Sequence, residues 1–226
     1  MSADELISFF VRNNSKFGKN KSTFNALDIG CGTGELTRKI LEKFKFHYLE
    51  LIDFSEKMLE ISKRKIHCKS KLILSDFDHY EEYFKFNLIY SNMSLHWSED
   101  IENLIKKIFF KLKPNATFLF SFPNDKSFKD LKIIYKNKKK NFNLNVLPSH
   151  RKIISLFDTN KCVVKEKKIN FTKMYDNPLN FYKELKLIGA NFKMSNENES
   201  IFFLRKIKQE IKINFYISFF YIKKNE

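Results

Sequence analysis

Apolar and polar positions change period repeatedly along this chain, and the changes mark out alternating strands and helices. Asp4 to Val11 sets Leu6, Ile7, Phe10 and Val11 on one side of a helical period, which predicts a helix. After a polar Lys/Asn-rich stretch, Asn25 to Ile29 reads as a first strand and Gly34 to Lys43 as a helix. The alternation continues with a buried strand over Phe46 to Ile52 and a helix over Lys57 to Ile66, with Ser55 as its N-cap. Strands follow at Lys71 to Leu74, Phe86 to Ser91 and Ala116 to Phe122; between the last two lies a helix over Ile101 to Leu112, stopped at Pro114. Such an order demands a parallel sheet with helices on both faces.

Beyond Pro123 the pattern loosens. Helices are predicted at Ser127 to Tyr135, Arg151 to Phe157, Pro178 to Ile188 (with Gly189 as a stop signal) and Ile201 to Ile211. Cys162 to Phe171 and the aromatic-rich Ile213 to Ile222 read as strands. Lys136 to Asn145 and Asn196 to Ser200 read as polar loops. No internal repeat or interdomain linker stands out, and 226 residues suit one domain with a sizeable core.

The chemistry concentrates where the first strand meets its helix. Ala26-Leu-Asp-Ile-Gly-Cys-Gly-Thr-Gly-Glu35 is an apolar run broken by Gly30, Gly32 and Gly34. Glycine suits a turn of positive φ or a close backbone approach, and the helix start beyond it offers unpaired N–H groups. The spacing is Gly-x-Gly-x-Gly, not the dinucleotide Gly-x-Gly-x-x-Gly, and it lacks the Gly-Lys-Ser/Thr ending of a phosphate loop. Asp53, at the end of the second strand, has two carboxylate oxygens for a pair of ribose hydroxyls, though a capping aspartate there is the simpler alternative. Ser75-Asp-Phe-Asp78 ends the third strand, where Asp76 and Phe77 suit an adenine ring. Ser91-Asn-Met-Ser-Leu-His-Trp97 follows the fourth, at the edge where open α/β sheets place their ligands. His96 there reads as structural, and Trp97 as a pocket wall or core residue.

Gly30 to Gly34, with Asp28 before them, resembles motif I of the class I S-adenosylmethionine methyltransferases. The resemblance implies a Rossmann-like α/β fold with a seven-stranded sheet, mostly parallel, with an antiparallel last strand. It implies one domain over 1–226, made of a partial N-terminal lid (1–24), a cofactor-binding half (25–122) and a substrate-binding half (123–226). It also implies S-adenosylmethionine as cofactor and S-adenosylhomocysteine as product. Their contacts would be Asp28, Gly30, Cys31, Gly32, Gly34, Asp53, Phe54, Asp76, Phe77, Ser91, Asn92 and Trp97. In that family the acid of the first strand positions the loop and contacts the cofactor's amino-acid part.

Composition bounds the rest. The net charge is +16, from 42 basic residues of which five are arginine. Such charge suits nucleic acid, anionic lipid or an acidic protein, but a chain this rich in Lys, Asn, Ile and Phe also follows from A+T-rich coding DNA. No transmembrane run is predicted, and Asp4 and Glu5 stand where a secretory signal carries positive charge. Cys31, Cys68 and Cys162 follow no metal spacing and read as reduced thiols. A cytoplasmic monomer without a metal is expected.

The last third narrows the family. Leu147-Pro-Ser149 and Leu185-Lys-Leu-Ile-Gly-Ala190 are similar to segments of the malonyl-acyl-carrier-protein O-methyltransferases of biotin synthesis, as are Ser91 to Trp97 and Phe120-Ser-Phe122. The resemblance implies esterification of the free malonyl carboxylate on an acidic carrier protein, with no nucleic acid or membrane partner. That carboxylate is ionised at neutral pH, so transfer needs alignment and no general base, and no catalytic triad is expected. A cation must hold it; the candidates are Arg151, Lys186 and Arg205, beside His150. The family also has a cofactor-covering segment ahead of the position matched by Met1, so the resemblance implies a start further upstream, a truncation or a more exposed cofactor. Two other readings stand. One is methyl transfer to another small acid or to RNA, disfavoured by the lack of Asn/Asp-Pro-Pro-Tyr/Phe after the fourth strand. The other is an interaction module without cofactor.

Overall fold

The computed structural model describes residues 2–14, 23–137, 146–187 and 203–226. Its strands are β1 (Thr23–Ile29), β2 (Lys45–Asp53), β3 (Lys71–Leu74), β4 (Leu88–Asn92), β5 (Thr117–Pro123), β6 (Cys162–Tyr175) and β7 (Ile211–Lys224). Its helices are α1 (Ser2–Asn13), α2 (Glu35–Leu41), α3 (Glu56–Lys65), α4 (Ile101–Lys111), α5 (Lys129–Asn137), α6 (His150–Ile154) and α7 (Pro178–Leu187).

The strands form one sheet in the order β3-β2-β1-β4-β5-β7-β6. β1 pairs in parallel with β2 and β4, β2 with β3, and β4 with β5. β7 runs antiparallel. Lys224 N–H donates to Ala116 C=O at 3.1 Å and Asn115 N–H returns to Lys224 C=O at 3.1 Å, so the end of β7 meets the start of β5. Asn225 N–H reaches Lys161 C=O at 2.9 Å, placing that same end beside the start of β6. The chain builds outward from β1 to β3 and then reverses through β4, so a crevice opens between the C-terminal ends of β1 and β4.

Two compact units emerge. Unit 1 comprises Met1–Phe122, Ser149–Lys167 and Ser218–Glu226; unit 2 comprises Pro123–Pro148 and Lys168–Ile217. The core of unit 1 sets Leu27, Ile29, Ile52, Ile89, Phe118, Phe120, Phe122 and Phe220 against Leu104, Ile105 and Ile108 of α4. α4 is held at its start by the Asp100 carboxylate, which accepts from Asn103 N–H at 3.0 Å. Unit 2 packs Phe128, Leu131 and Tyr135 of its α5 segment with Tyr175, Phe181, Tyr182, Leu204, Ile211 and Ile213.

Most predicted elements stand within a few residues of their expected ends, and Ser55 caps α3 by accepting from Met58 N–H. One expectation is corrected. Ile201 to Ile211 is no helix: among its described residues Phe203–Lys206 form a single 3₁₀ turn, and β7 already starts at Ile211. That turn suffices to bury Leu204 and pack Ile207 beside it, so the apolar spacing that suggested a helix is satisfied without one. The stop signal Gly189, the loop Asn196 to Ser200 and most of the Lys136 to Asn145 run lie outside the described residues.

Candidate functional site

The turn after β1 owes its shape to its glycines. Gly30 and Gly32 have φ of 65° and 53°, in the left-handed region that side chains resist, and Gly34 caps the start of α2. A Cβ on Gly30 would lie 1.7 Å from Ser94 Oγ, so the turn is pressed against the chain leaving β4. Gly32 is different: nothing lies within 4 Å of its Cβ position. The protein's own packing demands Gly30, whereas Gly32 presents bare backbone to open space. Cys31 between them is buried; its N–H donates to Ile52 C=O at 2.9 Å, and burial pushes its thiol pKa up.

Three acids surround this turn at different depths. Asp28 is 1% exposed. Its carboxylate accepts from Thr37 Oγ1 at 2.6 Å, and that oxygen also meets Tyr90 OH at 2.6 Å. With Asp28 ionised, the single hydroxyl proton of Thr37 goes to it and Tyr90 donates to Thr37, and the relay joins β4, α2 and β1 behind the glycines. Asp28 therefore holds the loop in place from within.

Asp53 lies nearer the surface, at the end of β2. Its two oxygens accept from Gly32 N–H at 2.8 Å and Ser55 N–H at 2.9 Å. Burial raises its pKa while these N–H groups lower it, the first effect prevailing. The Phe54 N–H contributes as well, and a carboxylate with about four lone-pair sites keeps acceptor capacity beyond these bonds. Beside it Phe54 is 47% exposed. Asp76 is exposed at the end of β3, accepting from Asp78 N–H at 3.0 Å, whereas Phe77 is buried in the core beside Gly30.

Burial pushes the Asp28 carboxyl up to about 7 from 3.8 and the His96 imidazole down to about 3 from 6.5. The signs oppose. Between pH 4 and 7 unfolding releases the Asp28 proton, so its contribution to stability falls as pH rises. Between pH 3 and 6.5 unfolding lets His96 take up a proton, so its contribution rises with pH. Each slope approaches about 1.4 kcal/mol per pH unit, so the two largely cancel in mildly acidic solution. Asp28→Asn is expected to remove the first. Urea unfolding should then show the stability of D28N relative to wild type increasing from pH 4.5 to 7.5. A difference that stays constant with pH would contradict the raised carboxyl.

The segment after β4 closes the other wall. Ser91 is buried and donates to Ile29 C=O at 2.8 Å, tying β4 to β1 at the crevice. Asn92 accepts from Ser121 Oγ at 2.8 Å and donates to Ser2 Oγ at 3.2 Å, so the start of α1 reaches the edge of the site. α1 is further pinned by ion pairs from Asp4 to Lys39 and from Glu5 to Lys167. Trp97 is partly buried against the core, 4.7 Å from the His96 ring.

The candidate cations fall in different units. His150 is buried in unit 1, with Nδ1 at 2.9 Å from Ser218 Oγ and Nε2 paired with the Glu166 carboxylate. Its ring stacks on Phe220 at 4.8 Å. Both ring nitrogens are engaged, which ties α6 to Ser218 and Glu166. Arg151 follows it and is exposed in unit 1; Arg205 is exposed in unit 2; the side chain of Lys186 lies outside the described residues. Sequence reasoning did not single out Thr37, Tyr90, Ser94 or Ser218. Thr37 alone carried a local signal, a buried-face hydroxyl one turn into the helix after the glycines.

A deep acid, a second buried acid clamped to an open glycine and a flanking exposed aromatic thus lie around the turn after β1. A methyltransferase-domain family model matches residues 3–172. Malonyl-[acyl-carrier protein] O-methyltransferase 2 of Ilyobacter polytropus is 33% identical over 183 residues, covering 78% of this chain and 70% of that protein. This chain belongs to the malonyl-[acyl-carrier protein] O-methyltransferase family. A second member, from Coxiella burnetii, is 29% identical over 206 residues, covering 87% of this chain and 79% of the relative. Among solved structures, the YcgJ protein from Bacillus subtilis matches with a TM-score of 0.65 at 14% identity, over 99% of both chains. Haemonchus contortus phosphoethanolamine N-methyltransferase 2, bound to S-adenosylhomocysteine, matches with a TM-score of 0.62 at 17% identity, over 99% of this chain and 53% of its own. The sheet order and antiparallel β7 of this methyltransferase are thus those of the class I methyltransferase fold.

Proposed function

We propose that this chain transfers a methyl group from S-adenosylmethionine to the free carboxylate of malonyl-acyl carrier protein. The observation that carries this reading is the 33% identity to a malonyl-[acyl-carrier protein] O-methyltransferase across 70% of its length. The site fits the cofactor: Gly32 leaves backbone open where a ligand can lie against it, and Asp53 has acceptor capacity left after bonding Gly32 and Ser55. When bound, S-adenosylmethionine supplies a sulfonium-activated methyl group that a carboxylate oxygen accepts.

The chain's own residues then position and shield. Asp53 would accept from the ribose hydroxyls, and Asp28 keeps the glycine turn in register through Thr37 and Tyr90. Phe54 and Asp76 would hold the adenine, and Asn92 and Trp97 would border the reacting end. Arg151, in the unit that holds the glycine turn, is the cation this reading assigns to the malonyl carboxylate, because its guanidinium can bond two oxygens at once. No side chain need act as base, since the carboxylate arrives ionised. The setting is the cytoplasm, consistent with free Cys31, Cys68 and Cys162 and with no membrane-length apolar helix among the described residues.

The test is intact-mass spectrometry of malonyl-acyl carrier protein after incubation with the chain and S-adenosylmethionine. The expected result is a gain of one methyl group, removed by an esterase. Calorimetric binding of S-adenosylhomocysteine with no product on the carrier would overturn the substrate; no binding at all would overturn the enzyme reading.

A further inference from the structure

The charge of the two units, counted along the sequence, is uneven. Unit 2 carries 16 Lys and Arg residues against 7 Asp and Glu, a net +9 in 76 residues, whereas the 150 residues of unit 1 carry +7. In unit 1 many lysines have acidic partners: Lys39 pairs with Asp4, Lys71 with Glu50, Lys85 with Glu82, and both Lys107 and Lys111 with Glu81. α5 of unit 2 is the contrary case.

Its inner face is committed. Leu131 and Tyr135 are buried, Tyr135 OH meets Tyr182 OH at 2.8 Å, and Asp130 accepts from Asn214 Nδ2 at 2.6 Å. The outer face carries Lys129, Ile133 and Lys136 at i, i+4 and i+7, which share one side of a helix. Lys129 and Lys136 are exposed, and no carboxylate among the described residues pairs with either. Ile133 between them is 53% exposed.

We propose that this stripe docks the acidic carrier protein, with Lys129 and Lys136 meeting carboxylates on either side of an apolar contact at Ile133. The proposal rests on the carrier-protein reading and locates its partner. Two cations flanking an exposed isoleucine complement an acidic helix with an apolar side chain on the same face. Such charge mainly raises the rate and specificity of encounter, and it weakens in salt because the pairs lie at the surface.

The double variant K129E/K136E tests this, with K129R/K136R as the charge-conserving control. Calorimetry with holo-acyl carrier protein at low salt is expected to show at least tenfold weaker binding to K129E/K136E, with K129R/K136R close to wild type. The KM for malonyl-acyl carrier protein should rise in parallel while kcat and S-adenosylhomocysteine affinity stay put; the last also reports that the variant is folded. Equal carrier binding by wild type and K129E/K136E, or a wild type that does not bind the carrier, overturns the docking site. If the wild type binds the carrier but does not methylate it, the proposed reaction fails and the docking surface stands.

Discussion

Gly30→Ala is expected to cost this protein several kcal/mol of stability and its cofactor loop. Two costs add. A non-glycine residue at φ of 65° gives up about 1–2 kcal/mol. The new methyl group would also start 1.7 Å from Ser94 Oγ and 2.5 Å from Ser94 Cβ, so the turn or the chain after β4 must move. Overpacking of that kind costs about 1–3 kcal/mol in a packed interior. Urea unfolding should therefore report a loss of about 2–5 kcal/mol. Ser94→Gly in the same chain should restore the clash component but not the backbone component. The same substitution at Gly32 separates folding from function. Its Cβ position is open and only the φ penalty applies, so Gly32→Ala should cost about 1 kcal/mol of stability while weakening S-adenosylmethionine binding. A G30A chain as stable as wild type would show that the turn is not held by Ser94.

This contrast between neighbouring glycines marks how far the sequence reads. The sheet was legible because apolar runs such as Phe118 to Phe122 and the stripe Leu104, Ile105 and Ile108 announce buried strands and a one-sided helix by period alone. The turn itself was legible as Gly-x-Gly-x-Gly, and Asp53 as the acid closing β2. What distinguishes Gly30 from Gly32 is a contact with Ser94, 64 residues away, which no local spacing encodes. The depth of Asp28 is hidden for the same reason: its relay through Thr37 reaches Tyr90 on another strand. The partners of His150 are equally hidden: Ser218 and Glu166, which meet its two nitrogens, lie 68 and 16 residues away. The apolar spacing of Ile201 to Ile211 fits a helix and a 3₁₀ turn leading into a strand equally, and burial of Leu204 decided between them.

Asp53→Ala is expected to weaken binding of S-adenosylmethionine and S-adenosylhomocysteine by at least about 100-fold. On the proposed reading the carboxylate accepts from two ribose hydroxyls, and hydrogen bonds to a charged group contribute about 1.5–3 kcal/mol each. The group is fixed in advance by Gly32 N–H and Ser55 N–H, so little ordering is left to be lost on binding. Alanine also leaves those two donors without their acceptor, at a cost in stability of about 1–3 kcal/mol for each that water cannot reach. Asp53→Asn should be no remedy. Its amide nitrogen must face either Gly32 N–H or Ser55 N–H, donor against donor, and only one oxygen remains to accept. Both variants should still unfold cooperatively, because Asp53 lies at the end of β2 and the packing of Leu49, Leu51 and Ile52 beneath it is untouched. Calorimetric titration with S-adenosylhomocysteine at a temperature well below the melting transition isolates the binding effect. A D53A chain that keeps its affinity to within a few-fold would mean that the ribose is held elsewhere, and that Asp53 only braces the turn.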